Sequence, residues 1–75
     1  MLTRRVSRSR LTAREREIVL HVSRGLTNRE IAAQLAIAEN TLRNQLHTIF
    51  RKVGVHSRLE LALCSISQGL LVQNE

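Results

Sequence analysis

The 75-residue chain has no proline, tryptophan, tyrosine or aspartate, and only one phenylalanine and one cysteine. Without Asp there is no aspartyl nucleophile, no Asp-rich calcium loop and no phospho-accepting Asp. Phe50 alone cannot build the row of aromatic platforms on which unpaired bases stack. Cys64 alone forms neither an internal disulfide nor a cysteine zinc cluster. His21, His47 and His56 have no ligand spacing, so no metal is expected. No acid–base pair, nucleophile–base pair or phosphate loop can be assembled, so neither an enzyme nor a cofactor is expected. No run approaches the ~18 apolar residues of a membrane span, and no apolar stretch follows the N-terminal arginines. With a lone thiol, that pattern leads us to expect a cytoplasmic protein.

What is present is positive charge, unevenly placed. Twelve Lys and Arg face six Glu, a net charge of +6. Residues 1–10 carry Arg4, Arg5, Arg8 and Arg10, while residues 11–39 are balanced. Residues 40–59 carry Arg43, Arg51, Lys52 and Arg58, with His47 and His56 and no acid. An interior basic block suggests a polyanionic partner, nucleic acid before an acidic membrane surface. Residues 1–9 are expected to be a flexible basic arm or linker remnant, and residues 10–75 one domain.

Helix starts are legible. Thr12-x-x-Glu15, Thr27-x-x-Glu30 and Ser57-x-x-Glu60 each have the form of a capping box followed by apolar residues at helical spacing. In such a box the hydroxyl takes the N3 amide and the Glu returns to the N-cap amide. The spacing predicts helices over about 14–24, 28–35, 39–53 and 58–68, with Gly25, Gly54 and Gly69 near three of the ends. The expected core is Ile18, Val19 and Val22, then Ile31 and Leu35, then Leu42, Leu46, Ile49, Phe50 and Val53, and last Leu59, Ala62, Leu63 and Ile66. Glu15 falls on the same stripe as Ile18 and Val19.

The third helix carries two different faces. At 100° per residue its apolar positions share one side, and Asn40, Asn44, His47 and Arg51 the other, flanked by Arg43. Arg forks onto guanine O6 and N7, Asn pairs with adenine N6 and N7, and a helix fits the major groove. The second helix, a turn at 36–38 and the third helix make a helix-turn-helix signature, with small Ala32 at the close approach. Thr27, Asn28 and Arg29 stand at the second helix's N-terminus, where free amides and the helix dipole suit a phosphate. Taken singly these residues have plain readings: Thr27 a cap, Arg29 a solvated charge, Asn44 a surface amide, Cys64 a small hydrophobe. The functional argument rests on their occurring together.

Leu11-Thr12-x-Arg14-Glu15-x-Glu17-Ile18, then Gly25-Leu26-Thr27-Asn28-Arg29-Glu30-Ile31-Ala32, resembles the start of the LuxR-type (LuxR/FixJ, GerE-like) DNA-binding domain. The likeness continues through Leu35-x-Ile37, Thr41-Leu42-Arg43, Ile49, Lys52, Gly54-Val55, Ser57-Arg58 and Glu60, without a gap from residue 11 to about 66. It implies an all-α, four-helix bundle with a helix-turn-helix, acting in bacterial transcription control and binding DNA as a dimer. By that resemblance Arg43, Asn44 and His47 face bases. By the same resemblance Asn28, Arg29, Thr41, Gln45, Lys52, Ser57 and Arg58 lie at or support the phosphate backbone; Thr27, from its place at the second helix's N-terminus, and Arg51, from the polar face of the third helix, are expected to join them. The fourth helix pairs two copies, with Leu61, Cys64, Ser65 and Gln68, off the expected core stripe, as its contact residues. Two positions depart from the family: Ala38 stands where it usually has Ser, and Gln45 where it often has His.

The partners expected are therefore double-stranded DNA and a second copy of the chain, with RNA polymerase and an upstream receiver or sensor domain as further expectations. No membrane partner is expected, since Arg4, Arg5, Val6 and Arg8 are too few and too polar for an interfacial helix. The competing reading is a helical protein-interaction module, an adaptor or anti-regulator that retains the fold. It requires a broad exposed apolar patch.

Overall fold

The computed structural model describes residues 11–67. Four helices follow one another: α1 (Ala13–Ser23), α2 (Asn28–Leu35), α3 (Glu39–Val53) and α4 (Arg58–Ser67). Among the described residues there is no strand. The expected arm at 1–9 and Gln68 lie outside them.

Capping chemistry sets the starts of α1 and α2. The Thr12 hydroxyl accepts from the Glu15 amide at 3.0 Å, and the Glu15 carboxylate accepts from the Thr12 amide at 2.8 Å. Thr27 and Glu30 repeat the exchange at 3.1 and 2.8 Å. Each reciprocal pair satisfies two backbone donors that the helix itself leaves without partners. The third expected box is shifted by one residue. Ser57 Oγ accepts from the Glu60 amide at 3.1 Å, but the Glu60 carboxylate takes the amide of His56, at 2.6 Å.

Two helix ends are closed by left-handed residues. Gly54 ends α3 at φ +83°, its amide bonding Phe50 O at 2.8 Å. Ala36 ends α2 at φ +57°, where its amide bonds Ala33 O and the Ile37 amide bonds Ala32 O at 3.0 Å. That tight end leaves only residues 36–38 between α2 and α3, so the two helices must turn sharply against each other. A left-handed alanine carries a steric cost of roughly 1–2 kcal/mol that glycine avoids.

One core joins all four helices. Ile18, Val19 and Val22 of α1, Ile31 and Ala32 of α2, and Leu42, Leu46, Ile49 and Val53 of α3 are buried together with Leu11 and Leu61. Leu35 and Phe50, expected inside, are only partly buried at its edge. α2 packs on α3, and α4 packs chiefly on α1.

The fourth helix corrects the sequence reading. Leu59, Leu63 and Ile66 do share a stripe, but it points to solvent, at 68%, 57% and 72% exposure. The core side is formed by Leu61 and Ser65, 0% and 2% exposed, with Ala62 and Cys64 half-buried. Leu61 and Ser65 thus serve this domain's own interior and cannot be the surface that meets a second copy; Cys64 packs partly against the same core. α4 is apolar on both sides, so periodicity identifies two stripes without saying which is covered. Packing against α1 decides it.

Candidate nucleic-acid interface

The outer face of α3 is open. Asn40, Arg43, Asn44, His47 and Arg51 are all exposed, while Leu42, Leu46, Ile49 and Val53 on the opposite side are buried. Thr41 is exposed and Gln45 half-buried on one flank. The Gln45 Oε1 is buried without a hydrogen-bond partner among the described residues. Thr48 turns its hydroxyl back to the Asn44 carbonyl at 3.4 Å, leaving the Asn44 side chain outward. Ala38 gives α3 no side-chain cap, forgoing about 1 kcal/mol.

The N-terminus of α2 is also open in part. Thr27 and Arg29 are exposed there and Asn28 is half-buried. The Arg58 guanidinium reaches across from α4 to bond Asn28 Oδ1 and Leu26 O, both at 2.6 Å. Both acceptors are neutral, so these bonds hold the Arg58 guanidinium at the start of α2 without cancelling its charge. Ser57 is exposed at the start of α4.

Lys52 is placed differently. Its ammonium lies 2.9 and 3.1 Å from the two carboxylate oxygens of Glu15. Burial alone would raise the Glu15 carboxyl, but the Thr12 amide and the Lys52 ammonium outweigh it and hold it below the usual carboxylate range. Glu15 therefore belongs to the α1 cap and to a cross-link onto the last turn of α3. Sequence reasoning found the cap and missed the cross-link. The available signal was an acid on a core stripe, which must find a cation when buried.

The sequence-predicted positions Arg43, Asn44, His47, Arg51, Thr41, Gln45, Thr27, Asn28, Arg29, Ser57 and Arg58 thus lie on α3 and on the starts of α2 and α4. Lys52 is joined to Glu15 on α1, and Leu61, Cys64 and Ser65 belong to α4's inner side. Among the described residues, no three His, Cys or Glu side chains come together as a metal would require. No described helix is long and apolar enough to cross a membrane.

Residues 9–65 match the bacterial regulatory proteins of the luxR family. The chain belongs to that family, whose members are DNA-binding transcription regulators. It is 39% identical over 62 residues to the transcriptional regulatory protein LnrK of Bacillus subtilis, covering 83% of this chain and 28% of that protein. It is 45% identical over 53 residues to the probable HTH-type transcriptional regulator GfsR of Streptomyces halstedii, covering 71% and 22%. With the nitrate/nitrite response regulator protein homolog of Haemophilus influenzae it shares 38% over 59 residues, covering 79% and 28%. The chain spans less than a third of the length of these curated relatives.

Proposed function

We propose that the chain binds double-stranded DNA in a sequence-specific way and controls bacterial transcription, with α3 lying in the major groove. The observation that carries this is the division of α3. Its apolar side is taken up by the core, with Phe50 at the edge, and its exposed side offers Arg, Asn and His, Arg43 being loosely paired with Glu39 at 3.9 Å. Arg43, Asn44 and His47 read base edges. Thr27, Asn28, Arg29, Thr41, Gln45, Arg51, Ser57 and Arg58 meet the phosphates. Lys52 supports them by tying α3 to α1, and Arg58 doubles as the tie between α4 and the α2 N-terminus. Phosphate contacts fix register and base contacts fix sequence.

Two copies bind together, paired through Leu59, Leu63 and Ile66 of α4, which form the exposed apolar stripe. The same stripe is the observation that favours a protein-interaction module. It is one narrow row on α4 and leaves the polar face of α3 without a purpose, so pairing of DNA-bound copies accounts for both surfaces where an adaptor accounts for one. RNA polymerase and an upstream receiver or sensor domain are further partners in this reading, in keeping with relatives several times longer.

The test is selection of bound duplexes from a random pool, followed by titration over a range of salt. The reading predicts a recovered site with two related half-sites and an affinity that falls steeply with salt. Recovery of no sequence, or binding indifferent to salt, would overturn it.

A further inference from the structure

The polar side-chain contacts of α3 are of two kinds. Those of Glu39 with Arg43, and of Thr48 with the Asn44 carbonyl, stay within the helix. That of Lys52 leaves it. The Lys52 ammonium, in the last turn of α3, donates to both carboxylate oxygens of Glu15, in the first turn of α1, at 2.9 and 3.1 Å. The two side chains are 29% and 11% exposed, so solvent and salt screen this pair far less than a surface pair. The same carboxylate accepts the Thr12 amide at 2.8 Å, so the anchor on α1 is itself held in place.

Helical spacing alone would send Lys52 elsewhere. Thr41, Gln45 and Lys52 follow at intervals of four and seven residues, along one flank of the helix. Thr41 and Gln45 are among the proposed phosphate contacts, but the Lys52 charge is committed to α1. What the pair gives α3 is direction. Apolar burial holds the helix in the core without fixing its rotation, because the hydrophobic effect is non-directional. At its start α3 has no side-chain cap, and the turn at 36–38 fixes only where it begins. The Lys52–Glu15 pair is a second fixed point near the other end. On a helix ~10–12 Å across, a rotation of about 10° moves the side-chain tips by about 1 Å, enough to spoil hydrogen bonds to base edges.

We infer that Glu15 and Lys52 are positioning residues for sequence discrimination: their pair sets the rotation at which α3 presents Arg43, Asn44 and His47 to the bases. The inference rests on the DNA reading of α3. It adds that the tie acts on the recognition of one sequence and not on attraction to DNA at large, since the Lys52 charge is neutralised within the protein.

The experiment compares the wild-type chain with Glu15→Gln on two probes, the duplex selected by the wild-type chain and a random-sequence duplex. Gln still accepts the Thr12 amide and keeps the capping box, while the charge that holds Lys52 is gone. Affinities are titrated over a range of salt, well below the melting temperature of either protein. The expected result is a loss of roughly tenfold on the selected duplex, with binding to the random duplex within about twofold of wild type and its salt slope unchanged. Tighter binding to both duplexes, with a slope steeper by about one unit, would overturn the inference and make Lys52 a phosphate ligand that Glu15 restrains. Unchanged binding to both would overturn it in favour of a pair that serves stability alone. Should Glu15→Gln fail to fold, Lys52→Met removes the other charge and keeps the apolar stem. The same selective loss is expected of it, and equal weakening on both duplexes with a slope flattened by about one unit would overturn the inference. A wild-type chain that selects no sequence would overturn the DNA reading itself, and this inference with it.

Discussion

The third and fourth helices are both amphipathic, yet only α3 shows from sequence which way it faces. In α3 the side opposite the hydrophobic stripe is polar throughout, so burial has one solution. In α4, Leu59, Leu63 and Ile66 compete with Leu61, Ala62 and Cys64, and only packing against α1 makes the choice. Sequence periodicity determines orientation where one face is unfit for burial. Where both are fit, the surplus apolar face is left outside, and it is that surplus which suggests a partner.

The sharpest way to break this comparison is to truncate one leucine on each side of α4. Leu61→Ala should lower stability by about 3 kcal/mol, the usual range for a fully buried leucine being ~2–5. Leu63→Ala should leave the isolated domain within about 0.5 kcal/mol of wild type while weakening pairing of copies on a two-half-site duplex. Denaturant titration and sedimentation together separate the two effects. If Leu63→Ala unfolded the domain and Leu61→Ala did not, the inverted reading of the helix would stand after all.

The next effect concerns how α3 is held. Glu15→Gln should destabilise by roughly 2 kcal/mol, since it leaves a half-buried Lys52 ammonium without its partner. Because the folded carboxyl titrates below its ordinary value, the stability it contributes is fully present above about pH 5. It is lost as pH falls through the lowered folded value. Stability measured from pH 6 downward should therefore fall less steeply in Glu15→Gln than in wild type. Parallel curves would show that the cross-link does not couple to folding.

Smaller still is a stabilising change at the turn. Ala36→Gly should raise stability by about 1 kcal/mol, because the left-handed backbone there strains any side chain. A loss instead would mean that the Ala36 methyl contributes packing which outweighs the backbone strain.

Much of this fold was legible in advance. The capping boxes at Thr12 and Thr27 located two helix starts, and α2 and α3 have the bounds their patterns predict. The candidate interface was legible for the same reason as α3: exposed Arg43, Asn44 and His47 share a side that no core can use. What escaped were long-range choices. Lys52 read as a residue at or supporting the phosphate backbone, with no sign of its ion pair, because its partner Glu15 stands 37 residues earlier. Arg58 read as a phosphate ligand with no hint of its grip on Leu26 and Asn28. Glu60 fits a capping box in spacing, but its carboxylate reaches one residue further, to His56. Local spacing cannot report contacts made across the bundle.

The most direct test of the central claim is to follow every backbone amide of the chain by NMR while the selected duplex is added. The account predicts that the largest shifts fall on Arg43, Asn44 and His47, with a second group at Thr27, Asn28 and Arg29. Arg43→Ala should remove the first group's response and weaken binding by ~1–3 kcal/mol. Shifts confined to α1 or to the apolar stripe of α4, with α3 unmoved, would contradict it.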